Sequence, residues 1–191
     1  DHSYGFRPGY NQQQAVESAQ RIVKGGKEYV IDIDLSKFFD RVNHDRLIYL
    51  LSGYVTDKRI LRLIGMILRS GVMVNGVVQL TEEGTVQGSP LSPLLSNVVL
   101  DELDKELERR GLEFCRYADD CNIFVRSLKS ANRVMSSISK FIEQKLKLKI
   151  NRQKSKVGLS REVKFLGMTI IDGTVAISWQ SIDRAMRKVK E

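Results

Sequence analysis

The stretch Glu113-Phe-Cys-Arg-Tyr-Ala-Asp-Asp-Cys-Asn-Ile-Phe-Val125 carries the reading of the fold. Two apolar, β-prone runs, about 113–117 and 121–126, flank a short polar tip, Ala118-Asp119-Asp120, and together they predict an antiparallel hairpin. Adjacent aspartates at a tip repel one another, and a turn needs only one polar turn former. Solvation of a turn would account for both in a hairpin taken singly. A third aspartate changes the weighing. Asp34 ends the strand predicted over 28–34, Glu-Tyr-Val-Ile-Asp-Ile-Asp. If the two strands are sheet neighbours, Asp34 and Asp119 meet at one edge. Clustered carboxylates destabilise a site unless a cation neutralises them. Hard divalent ions such as Mg²⁺ suit oxygen ligands and leave room for phosphate and water. Two such ions about 3.5–4 Å apart can clamp the attacking and leaving oxygens of a phosphoryl transfer.

Outward from this hairpin, strands and helices alternate, which predicts a mixed α/β class. Residues 11–24 read as a helix broken by Gly25-Gly26. Asn43 is placed to cap a helix over 44–53, and Ile60, Leu61, Ile64 and Leu68 recur at helical spacing over 57–69. Val72 to Leu80 reads as a hairpin turning at Asn75-Gly76, and 81–92 as a polar connection. Ser92-Pro93 opens a helix, with the serine as cap and Leu94, Leu95, Val98, Val99, Leu103 and Leu107 as its apolar stripe; Gly111 is its stop. A helix over 129–146, strands over 163–170 and 174–178, and a basic helical tail over 180–190 complete the pass.

The 191 residues are 42% hydrophobic, enough for one sizeable core and so for one compact domain or a large part of one. The net charge of +8 raises the odds of a polyanionic partner without deciding it. The excess is concentrated: Lys129 to Lys164 holds eleven Lys or Arg against two Glu. Cys115 and Cys121 have neither CxxC spacing nor nearby histidines, so they read as reduced packing residues of a cytosolic protein. No apolar run is long enough to span a bilayer. His2 and His44 read as surface or capping residues, Trp179 as a packing anchor for the last helix, and Asp32 and Asp40 as structural or solvated.

Asp34-Leu-Ser-Lys-Phe-Phe-Asp40, Gln87-Gly-Ser-Pro-Leu-Ser-Pro93 and Tyr117-Ala-Asp-Asp120 resemble the three central motifs of reverse transcriptases, in order and at fitting distances. Phe165-Leu166-Gly167 resembles the primer grip, and Ser3-Tyr-Gly-Phe-Arg-Pro-Gly9 with Gln87–Asn97 points to the group II intron type. The resemblance covers essentially the whole chain. It implies a polymerase palm, an antiparallel sheet backed by helices, over about 29–178, with a helical insert at 44–70. It also implies part of the fingers over 1–28 and the start of a thumb over 179–191. The abrupt start at a motif suggests a fragment, too short of its flanks to extend a primer well by itself.

Function follows from the same resemblance: RNA-templated DNA synthesis from deoxynucleoside triphosphates on a primer, with Mg²⁺ as cofactor, and assistance to intron splicing. The implied partners are intron and template RNA, a DNA primer or target, and dNTP. The implied setting is a bacterial cytoplasmic ribonucleoprotein associated with the nucleoid. Asp34 and Asp119 resemble the metal ligands, and Asp120 lies near the site. Phe39, five residues after Asp34, resembles the ring beneath the incoming sugar, where it would exclude a 2′-hydroxyl; Phe38 fits the core better. Gln87 resembles the glutamine at the nascent base pair, Gly88 lets backbone approach it, and Val86 stands where the family usually has proline. Lys154 matches the lysine proposed to protonate pyrophosphate. Tyr117 and Arg7 are placed near nucleotide or template. The alternatives are an RNA-binding splicing cofactor without polymerase activity, and a retron or diversity-generating reverse transcriptase.

Overall fold

A computed structural model describes residues 2–35, 42–69, 72–74, 77–79 and 91–190. The elements in chain order are α1 (Gln12–Lys24), β1 (Tyr29–Ile33), α2 (His44–Ser52), α3 (Lys58–Arg69), β2 (Val72–Val74), β3 (Val77–Gln79) and α4 (Ser92–Arg109). They continue with β4 (Glu113–Tyr117), β5 (Asp120–Val125), α5 (Leu128–Phe141), a π-helical turn (Ile142–Leu146), β6 (Lys156–Leu159), β7 (Met168–Ile171), β8 (Thr174–Ile177) and α6 (Trp179–Lys190).

The central sheet runs β4-β5-β1-β6, and every neighbouring pair is antiparallel. Because side chains alternate across a strand, it has two unlike faces. Ile31, Ile33, Phe114, Cys121, Ile123 and Val125 point to one of them. There they meet Leu47 and Leu51 of α2, Leu95 to Leu107 of α4, and Ala131 to Ile138 of α5 in the larger core. Val30, Cys115 and Phe124 point to the other, against Ala15, Val16, Ala19 and Val23 of α1 and against Val163, Phe165 and Ile170 beside the β7–β8 hairpin. Asp32, Asp34, Asp120 and Asn122 share this second face by the same alternation.

Local chemistry explains most boundaries. Asn11 caps α1 in a reciprocal box with Gln14, and Asn43 Oδ1 accepts the Arg46 N–H at 2.9 Å. After α4, Gly111 takes a φ of +66°, and the Leu112 N–H returns to Leu107 O at 3.0 Å.

Several expectations fail for identifiable reasons. Ser92 does not cap α4. Leu91 holds that position without a side-chain bond, and Ser92 lies buried inside the helix. Leu94 is 55% exposed, off the stripe its neighbours bury. The helix expected over 129–146 changes at Ile142 to a π-helical turn, which ends at Lys147 in the left-handed region. The strand expected over 163–170 is only Met168–Ile171, because Leu166 and Gly167 both take positive φ and form a turn. Lys156–Leu159 is a strand that local pattern does not announce; the free edge of β1 pairs with it. His44 is 2% exposed and belongs to the interior, whereas Trp179 is 79% exposed and so is not a buried anchor for the last helix. Asn75-Gly76 lies outside the described residues, although β2 and β3 do pair on either side of it.

Candidate active site

The register places the carboxylates. Ile33 pairs with Cys121 and Tyr117 with Asp120, so the end of β1 and the β4–β5 turn lie at one end of adjacent strands. Asp34 follows Ile33 directly, and Asp119 and Asp120 form the turn and the first residue of β5. The neighbouring loop is stitched to Asp34: the Asn151 N–H donates to Asp34 O at 2.9 Å, and Asp34 N–H donates to Ser155 Oγ at 3.0 Å. Lys154 sits exposed in this same tight turn, which puts its backbone beside the β1 end.

Crowding is visible in the proton equilibria. Burial pushes Asp120 up to about 7, and the charges of Asp32 and Asp119 push in the same direction; Lys164 and the Leu166 N–H oppose them. Burial likewise raises Asp32 to about 6. Lys156 and Lys164 oppose that rise, and Asp34 adds to it. Asp32 is therefore part of the carboxylate array rather than a solvated residue. Lys164, half-buried and coupled to both aspartates, is the cation that sequence inspection missed. Its only signal is its place immediately before Phe165-Leu-Gly167. The two thiols are inert by contrast: burial raises Cys115 to about 11 and Cys121 well above the usual range.

Two further contacts hold the turn. Asn122 Nδ2 donates to Asp120 Oδ1 at 3.2 Å, and the backbone N–H of Leu166 hydrogen-bonds the same carboxylate, tying the β5 start to the Phe165–Gly167 turn. Behind it, Arg116 is 1% exposed and makes a two-pronged ion pair with Asp104 of α4, at 2.7 and 2.6 Å. Breaking such a buried pair from one side costs about 3–5 kcal/mol. Ser3 bridges Arg116 in parallel, and Gly5 lies so close to the turn that an added Cβ would stand 2.4 Å from Ala118 N. The amino-terminal motif thus packs on the aspartate turn, a contact no local pattern reveals.

The remaining candidates are placed as follows. Arg7 donates to Ser3 O at 2.8 Å and lies 4.4 Å from the centre of the Tyr10 ring, bracing the amino-terminal stretch. The Tyr117 ring is 6.2 Å from that of Phe6, in tilted contact. Phe38, Phe39, Asp40, Val86, Gln87 and Gly88 lie outside the described residues. Among the described residues no group of three or more His, Cys, Asp or Glu side chains could hold a metal ion by itself. No helix among them is long and apolar enough to cross a membrane.

An antiparallel sheet backed by helices, with aspartates at one end of its two central strands, is a palm-type fold. The match to known sequences narrows this. Residues 1–170 match the reverse transcriptase (RNA-dependent DNA polymerase) family, and the chain belongs to that family, in its group II intron type. It is 31% identical over 167 residues to the group II intron-encoded protein LtrA of Lactococcus lactis subsp. cremoris, covering 86% of this chain and 26% of that protein. It is 28% identical over 193 residues to protein YkfC of Escherichia coli, covering 81% of this chain and 51% of that protein. The chain therefore spans about half or less of these relatives. Apo telomerase from Candida tropicalis shares the fold, with a TM-score of 0.67 at 15% identity over 93% of this chain and 37% of that one.

Proposed function

We propose that this chain carries the nucleotidyl-transfer centre of a group II intron RNA-directed DNA polymerase. The observation that carries the reading is the β1–β5 register, which sets Asp34 beside the Asp119-Asp120 turn. When bound there, Mg²⁺ would neutralise charge on the phosphates and lower the barrier to attack by a primer 3′-hydroxyl. Asp34 and Asp119 would hold it. Asp120, drawn toward Asn122 and Leu166, would shape the site from beside them. The primer 3′-oxygen bonds to the α-phosphorus of a deoxynucleoside triphosphate, and the bond to pyrophosphate breaks. Lys154 would supply the proton to that leaving group.

Phe39 would exclude ribose, Gln87 and Gly88 would meet the nascent base pair, and Tyr117 and Arg7 would lie toward nucleotide and template. Phe165, Leu166 and Gly167 would grip the primer. In this reading residues 1–28 are part of the fingers, 29–178 the palm with its insert at 44–70, and 179–191 the opening of a thumb. The basic run from Lys129 to Lys164 would track a nucleic-acid backbone, and the same surface would serve a splicing role on intron RNA, in a bacterial ribonucleoprotein associated with the nucleoid.

The test is Asp119→Ala in the full-length protein, assayed by Mg²⁺-dependent primer extension on an RNA template. Extension is expected to be lost while RNA binding persists. Near-normal extension would overturn the assignment.

A further inference from the structure

The aspartate turn is held from behind by one buried guanidinium. Arg116 Nε and Nη2 are committed to the two oxygens of Asp104. Its Nη1 donates both to Asn97 Oδ1 at 2.8 Å and to the backbone oxygen of Ala118 at 2.8 Å. Asn97 in turn donates from Nδ2 to Gly5 O at 2.8 Å. The backbone of Arg116 is engaged as well: it accepts from Tyr4 N–H at 2.8 Å and donates to His2 O at 2.9 Å. Helix α4, the amino-terminal stretch and the turn therefore meet at one side chain.

The turn needs such a restraint. Ala118 has a φ of +57°, in the left-handed region that a residue with a Cβ rarely adopts. Like charges at Asp32, Asp119 and Asp120 also press on the segment that follows. A carbonyl fixed by a buried charged donor resists both effects, and Gly5 closes the space into which the turn could relax.

We propose that Arg116, locked by Asp104 and Asn97, is a positioning residue that sets the Ala118 peptide and so the direction of Asp119. The catalytic consequence rests on the polymerase reading above; the geometric one does not. Lysine at 116 keeps the charge but cannot span Asp104, Asn97 and Ala118 together, because it lacks the planar fork. A misplacement of about 1 Å at a reacting centre can cost on the order of a hundredfold in rate.

The experiment compares Arg116→Lys, Asn97→Ala and a control, Leu107→Ala, which opens the same helix's core contact away from the turn, all in the full-length protein. Asn97→Ala keeps the ion pair, so it reports even if Arg116→Lys fails to fold. Amide hydrogen exchange is read at residues 117–121, and kcat, primer–template KM and half-saturating Mg²⁺ are read in primer extension. The turn variants are expected to exchange at least tenfold faster at 117–121 than the control after normalisation to global stability. Their kcat is expected to fall 10- to 100-fold, with a raised Mg²⁺ requirement and little change in primer–template KM. Exchange at 117–121 in Asn97→Ala no faster than in Leu107→Ala would overturn the positioning role. Loosened exchange with unchanged kcat would leave the geometry standing and overturn its catalytic consequence. Retained extension by Asp119→Ala would strike the polymerase reading instead.

Discussion

Replacing Asp120 with asparagine should change stability in a pH-dependent way, and both the sign and the size follow from its surroundings. The folded-state pKa stands at about 7 against an ordinary 3.8, chiefly through burial and then through Asp32 and Asp119. A carboxyl raised in this way keeps its proton in the folded chain after the unfolded chain has lost it. Its contribution is complete below about pH 4 and is lost progressively as pH rises from there to about 7. Each tenfold step in the proton equilibrium is worth about 1.4 kcal/mol. The wild type should therefore lose at most about 3 kcal/mol from this group between pH 5 and pH 8 without divalent metal, and about half of that once solvent screens the half-buried site. Asp120→Asn removes this slope. It also weakens the bond from the Leu166 N–H, at about 1 kcal/mol at either pH. The variant should thus match or fall below wild type at pH 5 and exceed it at pH 8. Urea unfolding at the two pH values measures the swing, and millimolar Mg²⁺ at pH 8 should narrow it by stabilising the wild type. An unfolding difference that is the same at both pH values would refute the argument that Asp120 is held in a crowded, desolvated array.

Two other expectations concern substrates. Phe39→Ala should raise ribonucleotide incorporation relative to deoxyribonucleotide, read as the ratio of the two kcat/KM values; an unchanged ratio would return Phe39 to a packing role. RNA binding should weaken steeply with salt, because the run from Lys129 to Lys164 would release counterions from each phosphate it neutralises. A titration series between about 50 and 200 mM salt, over which phosphate contacts lose affinity steeply, gives the slope. A flat line would mean that the basic run is a solvated face.

The elements that position the site divide by the range of the interactions that make them. The β4–β5 hairpin, the strand ending at Asp34, the Asn43 cap and the Gly111 stop were all legible in the sequence. Each depends on residues within a few positions of one another: alternation, a capping side chain, a glycine able to take positive φ. The motif spacing carried the family for the same reason, since motifs are local strings. What escaped depends on residues distant in the chain. Lys156–Leu159 is short and contains a glycine, and it becomes a strand because β1 has an unpaired edge to offer. Asp32 looks like an ordinary polar position in an alternating strand, and it is burial in the folded chain, with the charge of Asp34 added, that makes it costly to ionise. Alternation puts Arg116 on the same face as Phe114 and Cys121, where a charged side chain is not an expected core residue. It is buried because Asp104 on α4 and Asn97, about two turns before it, meet the same guanidinium. Sequence by itself determined which residues could carry charge, turn the chain or pair as strands. The tertiary structure alone decided which of those charges share a desolvated space, because desolvation and Coulomb coupling depend on distance through space rather than on separation along the chain.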